Sequence, residues 1–462
     1  MKSKSRHQGI TRRELLAGAA LGAVFGAGSV QSTRASGAAA PTPWWNWSGH
    51  QHCVPAGRLS PASEAELAKL LRESNGALRP VGSGHSFTGL VPTDGHLLVI
   101  DQLRGLIEHD PDTKQATFGA GTRLGDMGAE LQRVGQAMLN LPDIDRQTLA
   151  GATATATHGT GIAFTCLSGF VTELRLVTPN GDVIDCSASN NSDLFNAARV
   201  SLGALGVVTR MTLQNREPYR LKAKNWVQPI EDVLASFDES AAAHRHFEMF
   251  PLTHSDYALV LSIDETDEPI NNPPPDPEEA AAFGQAMAYW ATLPPSERQA
   301  HVDELAQQIG PTEAVDESYN ILSNIRNNRF NEMEYAVPLE HGAACLREIL
   351  QTIKDQEIDV VFPLEYRYVK RDDTWLSMSS GNEDHAAISI HRVASEDYRP
   401  YFDLIEPIFW KHGGRPHWGK VHTLSVKNFL QLYPRFADFQ KLRAELDPAG
   451  RFLNDHLRKV FI

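Results

Sequence analysis

Short apolar runs separated by glycine-, proline- and polar-rich turns set the pattern of this chain. After an aromatic segment, WWNWSGHQHCVP, the stretch SPASEAELAKLLRES reads as a helix. Ser60 or Ser63 can cap it, and Glu64 and Glu66 suit its first turn, where the helix dipole is positive. HLLVIDQL and QATFGAGT are short, apolar and bounded by turn residues, as strands are. RLGDMGAELQRVG has helical spacing and stops at Gly135. VTELRLVTPNGDVIDCS predicts a hairpin turning at Pro179 to Asp182. DLFNAARVSLGALGVVTRMTLQ predicts a helix, a glycine-bearing turn and a strand. Residues 46–217 therefore mix short helices and strands without the strand–helix rhythm of a doubly wound sheet. No GxGxxG joins a strand to a helix, since GSGHSFTG has other spacing, and no internal repeat is visible.

A second region starts near residue 218. Its polar insert DETDEPINNPPPDPEE, residues 264–279, is rich in proline and acid and reads as a solvated loop or linker. Helical stretches follow in AAAFGQAMAYWATL and SERQAHVDELAQQIG. NEMEYAVP, VVFPLEYRYVK and HAAISIHRV read as strands. Alternation in LEYRYV puts Glu365 and Arg367 on one face and Tyr366 and Tyr368 on the other. The chain closes with GGRPHWGKVHT and DPAGRFLNDHLRKVF.

With 462 residues the chain is long enough for two or three domains. Its 42% apolar and 22% charged residues are those of an ordinary globular protein. A net charge of −14 argues against a nucleic-acid partner, though not against one local basic pocket. Cys53, Cys166, Cys186 and Cys345 form no CxxC pair, so no zinc or iron–sulfur spacing is present, and the histidines also lack paired metal spacing. A disulfide and four separate thiols are both compatible with the sequence. Residues 1–40 carry twin arginines, Arg12 and Arg13, then a short Ala/Gly-rich apolar run. Small residues at Ala35 and at Ala38 to Ala40 suit a cleavage site. This pattern predicts a signal for the twin-arginine route, which exports folded proteins to the periplasm or beyond; an uncleaved anchor or tail is the alternative.

RPVGSGHSFTGL, residues 79–90, sets His85 among glycines. LAGATATATHGTG, residues 149–161, has only small residues over a long run, with His158 near its end. Such a backbone can lie against a planar ligand, or pack tightly in a sheet. With FGAGT, these make three glycine-rich loops in one domain, and clustered backbone N–H groups form nests for a pyrophosphate.

In this order RPVGSGHSFTG, FGAGT, AGATATATHGTG and GALGVVT resemble the FAD-binding domain of the vanillyl-alcohol-oxidase, or PCMH-type, flavoprotein superfamily. EYRYV, RPHWGK and DPAGRFLNDHLRKVF resemble the sugar-1,4-lactone oxidase and alditol oxidase group, which includes L-gulonolactone and D-arabinonolactone oxidases. The resemblance implies an α+β fold. Residues 46–217 would be a PCMH-type FAD-binding domain of two α/β subdomains. Residues 218–462 would be a cap domain on an antiparallel sheet, with roughly its last 45 residues returning to the flavin. It maps His85 onto the covalent link to the flavin 8α-methyl carbon, and with no cysteine in ATHGTG it implies one bond at most. Pro80, Val81, Gly82, Ser83, Gly84, Ser86, Gly121, Ala150, Gly151, Thr153, Thr155, His158, Gly159, Gly206, Val207 and Lys420 would contact FAD. Arg367 and Lys420 would hold the reacting oxygen, and Glu365 a neighbouring hydroxyl or ring oxygen; without the resemblance, Glu365 and Arg367 read as a strand-face ion pair. Ser389, His391 and His417 are further substrate-side candidates.

The implied activity is hydride removal from a CH–OH group of a polyol, sugar or aldonolactone. The acceptor is O2, giving hydrogen peroxide, or a membrane quinone or cytochrome. A small side chain, Ala152 or Ala154, is placed to govern O2 access. The alternatives are an exported flavin- or sugar-binding protein without turnover, and a flavoenzyme for a non-sugar alcohol.

Overall fold

The computed structural model describes residues 42–272, 288–308, 310–324, 326 and 328–462. The twin-arginine segment, part of the acidic insert and most of AAAFGQAMAYWATL lie outside them. No helix among the described residues is long and apolar enough to cross a membrane.

Two short strands, β1 (Trp44–Trp45) and β2 (His52–Cys53), pair ahead of the first layer. β3 (Gly57–Leu59), β4 (Leu78–Val81) and β5 (His96–Val99) form a parallel sheet in the order β3-β5-β4. The helix Glu64–Glu73 makes the β3-to-β4 crossover. Its cap is Ser63, whose hydroxyl accepts from the Glu66 amide at 3.2 Å, while Glu66 accepts from the Ala62 amide at 2.8 Å. Leu67, Ala68 and Leu71 form its buried face.

β6 (Leu106–Asp110), β7 (Gln115–Gly119), β8 (Ala137–Met138), β9 (Val171–Val177), β10 (Val183–Ser187) and β11 (Val207–Arg216) make an antiparallel sheet. Its order is β10-β9-β11-β7-β6, with β8 on the end of β11. The predicted hairpin is β9–β10, with Val183 opposite Val177. Gly206 opens β11 at φ +149°, where a Cβ would lie 2.6 Å from the Val177 carbonyl, so glycine alone fits the turn.

The third layer is an eight-stranded antiparallel sheet. Its strands are β12 (Arg220–Pro229), β13 (His246–Pro251), β14 (Tyr257–Thr266), β15 (Thr312–Glu317), β16 (Phe330–Pro338), β17 (Glu365–Val369), β18 (His385–Val393) and β19 (Arg415–Pro416). They run in the order β15-β12-β14-β13-β17-β18-β16-β19. The helix Gly342–Asp355 covers part of one face, burying Cys345, Leu346, Ile349 and Ile353. This α+β arrangement is the one expected.

The two halves are stitched by the chain end and by two loops. The Leu78 amide donates to the Arg451 carbonyl at 2.9 Å, and Asn454 donates to the carbonyls of Gly89 and Pro92, both at 2.8 Å. Residues 83–88 lie along residues 417–420: the Phe87 amide donates to the Gly419 carbonyl at 2.6 Å and Thr88 to the Trp418 carbonyl at 3.2 Å. All four cysteines are free thiols, so no disulfide supports the fold.

Candidate active site

A cleft runs between the parallel and antiparallel sheets of the first half. Pro80 and Val81 at the end of β4, then Gly82, Ser83, Gly84, His85 and Ser86, line one side. Ala150, Gly151 and Thr155 line a second, and Gly206 and Val207 a third. Among the described residues, the amides of Ser83, Gly84, His85 and Ser86 donate to no protein acceptor. Four unsatisfied donors along one lip are suited to an anionic ligand. Gly84 sits at φ +73°, and a Cβ on Gly82 would collide with Thr148 Oγ1 at 2.3 Å.

The 149–161 run is not flat throughout. Leu149–Ala154 is a short helix, because the Thr148 hydroxyl accepts from the Gly151 amide at 3.2 Å and starts the turn. Thr153 therefore points away from the cleft and donates to the Leu149 carbonyl at 2.9 Å. Gly121 lies under Ile100, where a Cβ would meet the carbonyl oxygen at 2.1 Å, and Gly159 packs on Leu141 and Asn140. These three do not line the cleft, and neither do His158 and Lys420. Ala154 lines it, whereas Ala152 is fully buried elsewhere. Residues not singled out also line it, among them Arg79, Gln147, Thr148 and the Ser201–Gly203 turn. Arg79 is buried with no carboxylate partner among the described residues; it donates to the carbonyls of Leu90, Leu202, Gly203 and Phe452, and burial lowers its pKa to about 9.

His85 lines the cleft with its ring stacked on Trp47, centroids 5.6 Å apart. Neither of its nitrogens makes a hydrogen bond among the described residues. Burial, reinforced by Lys420, Arg123 and Arg146, lowers its pKa to about 4, so the imidazole is neutral at physiological pH.

The polar wall of the second half is built by strand register. Glu332 and Glu334 of β16 face His391 and Ser389 of β18; Glu365 and Arg367 of β17 face Ser389 and Ala387; Glu248 of β13 faces Arg367. Period-two alternation puts all these side chains on one face, with Met333, Tyr335, Tyr366 and Tyr368 on the other. Arg367 forms an ion pair with Glu365 at 2.9 Å and donates to Glu334 at 3.3 Å, and its buried Nε has no acceptor among the described residues. Glu334 also accepts from Ser389 at 2.8 Å and pairs with His158 at 2.6 Å. Lys420 pairs with Glu332, and His391 Nε2 lies 3.6 Å from the other Glu332 oxygen. Thr160 donates to Glu248, and Asp143 pairs with Arg326 at 2.8 Å.

These contacts divide the carboxyls. Burial pushes Glu365 up; Glu248, Glu334 and Glu332 add to the effect and Arg367 opposes it, leaving a pKa of about 7. Glu248 is also raised, first by burial. Burial acts the same way on Glu334, but His158 and Arg367 hold it well below its ordinary value. Lys420 and His391 similarly overcome burial to hold Glu332 at about 2.

The structure thus brings Glu365, Arg367, Lys420, Ser389 and His391 together. His158 and His417 stand behind them, rings 6.0 Å apart; His158 is committed to Glu334, and His417 accepts from the Gly419 amide at 3.0 Å. Sequence reasoning missed Glu248, Glu332 and Glu334. The alternation of acid and apolar residues in NEMEYAVP was the available signal for the β16 pair. The fold also sets ligand atoms of Glu332, Glu365 and His391 within 4.8 Å of one another, a grouping no sequence spacing shows, although Lys420 and Arg367 already supply the cations there. An aromatic cluster flanks His391: Phe330 lies edge-on at 5.3 Å and stacks with Phe87 at 5.7 Å.

Comparison with known proteins agrees with this division of the chain. Residues 55–187 match the FAD binding domain family, and residues 211–460 match D-arabinono-1,4-lactone oxidase. The chain is 34% identical over 428 residues to L-gulono-1,4-lactone dehydrogenase of Mycobacterium tuberculosis (strain ATCC 25618 / H37Rv), covering 90% of this chain and 98% of that protein. It is 28% identical over 422 residues to alditol oxidase of Streptomyces sp. (strain IKD472 / FERM P-14339), covering 90% and 98%. Among solved structures, cholesterol oxidase from B. sterolicum superposes with a TM-score of 0.72 at 16% identity, over 91% of this chain and 96% of that one, a likeness of fold. The cleft fits FAD: it pairs a lip of unsatisfied amides for phosphate with small residues, Ala150, Gly151 and Ala154, that admit a flat ring.

Proposed function

The chain belongs to the D-arabinono-1,4-lactone oxidase family, and from that premise we propose that it removes a hydride from a CH–OH group of a polyol, sugar or aldono-1,4-lactone. One observation carries the substrate class. The wall beside the cofactor cleft alternates carboxylate acceptors and cationic donors across adjacent strands, as a substrate with several hydroxyls requires.

FAD, when bound, supplies the hydride acceptor. The lip of amides at residues 83–86, with Ala150, Gly151 and Gly206, would hold it. Glu365 is poised near neutrality and accepts the hydroxyl proton as the C–H bond weakens. Arg367 and Lys420 add positive charge beside the reacting oxygen, which favours its alkoxide character. His391, beside Glu332, binds an adjoining hydroxyl, while the fully buried Ser389 donates to Glu334 and positions it. His85 is neutral and makes no hydrogen bond among the described residues, as a nucleophile toward the flavin 8α-methyl group must, and this supports one covalent histidyl link. The twin arginines Arg12 and Arg13 support export of the folded, cofactor-loaded protein. Ala154 at the cleft supports a role for that position in choosing between O2 and a quinone or cytochrome acceptor.

The aromatic cluster of Phe330, Phe87, Trp47 and Phe362 favours a second reading, a non-sugar alcohol lying against it. One experiment separates the two. The purified yellow protein is mixed anaerobically with a panel of polyols, aldonolactones and long-chain alcohols, and bleaching of the flavin is followed before O2 is admitted. Bleaching by a polyol or lactone supports the proposal. Bleaching by apolar alcohols alone, or by none of the panel, overturns it.

A further inference from the structure

The turn between β1 and β2 lines no part of the cofactor cleft, yet it grips the loop that carries His85. The Trp47 amide donates to the Gly84 carbonyl at 2.7 Å, and Asn46 Nδ2 donates to the Ser86 carbonyl at 3.0 Å. His85 is therefore held by the carbonyls on either side of it. In a trans peptide the C=O and N–H point opposite ways, so tying the Gly84 carbonyl to the turn aims the His85 amide away from it. Asn46 is buried and its amide group is fully used: Nδ2 also donates to Ser48 Oγ at 3.0 Å, and Oδ1 accepts from the Gly49 and Gln51 amides at 2.9 and 3.0 Å. Trp44 seats on Gly84, where a Cβ would lie 3.1 Å from its ring.

The ring of His85 makes no hydrogen bond among the described residues, so packing sets its plane. Trp47 supplies that packing, stacked on it at 5.6 Å with 27° between the planes. The indole is itself fixed by edge-on contacts to Phe330 at 5.1 Å and Phe87 at 6.2 Å. The lone pair of a neutral imidazole nitrogen lies in the ring plane, so fixing the plane fixes the direction of attack.

We propose that Trp47 is a positioning residue for the histidyl–flavin bond: its amide anchors the backbone beside His85, and its indole holds the imidazole in the plane from which it reacts. This rests on the reading of His85 as the flavin link. The bond formed joins one imidazole nitrogen to the 8α carbon. The imidazole N–H and one methyl C–H are lost, and O2 carries away both hydrogens and the two electrons as hydrogen peroxide.

The test uses the purified, flavin-loaded full chain and reads two quantities: total flavin per chain, and flavin kept by the acid-precipitated protein. Wild type should keep its flavin in the pellet. Trp47→Ala should bind total flavin within about twofold of wild type, because the amide lip is intact, yet keep about tenfold less of it after acid. Trp47→Phe, which restores a stacking ring, should recover most of the acid-stable flavin. Acid-stable flavin in Trp47→Ala equal to wild type would overturn the proposal and leave the link standing. Total and acid-stable flavin falling together in Trp47→Ala, or no recovery in Trp47→Phe, would also overturn it, since either marks an indole that only supports the fold. Release of all flavin from wild type would instead overturn the link itself, and the role of Trp47 with it.

Discussion

Replacing Glu365 by Gln tests how the polar wall works. Burial is the main reason its pKa rises from 4.5 to about 7, with Glu248, Glu334 and Glu332 adding and Arg367 opposing. At about 1.4 kcal/mol per pH unit, ionisation in the folded protein is opposed by about 3 kcal/mol. Between 4.5 and about 7 the folded state keeps a proton that the unfolded state has lost. This group's contribution to stability therefore falls as pH rises through that window and is least favourable above it. Glu365→Gln abolishes the titration. Relative to wild type, the variant should gain up to about 3 kcal/mol between about pH 5 and about pH 8, read from urea unfolding by circular dichroism at both ends. Catalysis should move the other way. If the carboxylate accepts the hydroxyl proton, kcat/KM of the wild type rises with pH through an apparent pKa near 7. The variant should lose that limb and about two to four orders of magnitude in rate, measured by anaerobic stopped-flow flavin reduction. A variant that keeps the limb near 7, or reacts within about threefold of wild type, would refute the proton-acceptor role.

Lys420→Ala should slow flavin reduction by about two to four orders of magnitude, because it removes the charge beside the reacting oxygen and strands Glu332; near-normal single-turnover rates would remove Lys420 from the mechanism. Acid precipitation of wild type should leave the yellow colour in the pellet, and His85→Ala should release it to the supernatant; full release from wild type would sink the covalent link. Glu334→Gln should cost about 3–5 kcal/mol in urea unfolding, since it leaves Arg367 and His158 without their shared buried carboxylate; a loss under about 1 kcal/mol would show that the cluster relaxes freely. Replacing Ala154 by a larger apolar residue should change reoxidation by O2 more than reduction by substrate; equal effects on both would place that residue away from the acceptor path.

The elements were legible where local chemistry fixes them. The hairpin at Pro179–Asp182, the helix capped at Ser63 and the strand Glu365–Val369 all rest on turn residues, caps and period-two patterning. The glycine loops could be found, but not which of their residues face the cleft. Thr153 turns inward because Thr148 starts a helix, and Gly121 is small to let the Ile100 carbonyl pass, both matters of three-dimensional packing. Glu365 and Arg367 were visible as a strand-face pair. Glu334, more than 30 residues upstream, was not, because its partners come from β17, β18 and the 155–161 loop, and only the sheet's register unites them.

That register also explains why this wall holds its proton so near neutrality. Five carboxyls, those of Asp143, Glu248, Glu332, Glu334 and Glu365, share the buried region with three permanent cations, Arg326, Arg367 and Lys420. Asp143 is held down by Arg326, Glu332 by Lys420, and Glu334 by His158 and Arg367. The two carboxyls in excess are those pushed up, Glu248 and Glu365. Glu248 is capped by the Thr160 hydroxyl, whereas among the described residues Glu365 is paired with Arg367 alone. The imbalance therefore falls on the residue that faces the substrate side, and adding a neutral polyhydroxyl ligand leaves it there. Moving one charge, by Glu248→Gln, should lower the apparent pKa of the Glu365 limb, because a neighbour that opposes its ionisation is gone. The same substitution leaves the Lys420–Glu332 pair untouched, so a shift confined to that limb distinguishes this charge balance from general damage to the site.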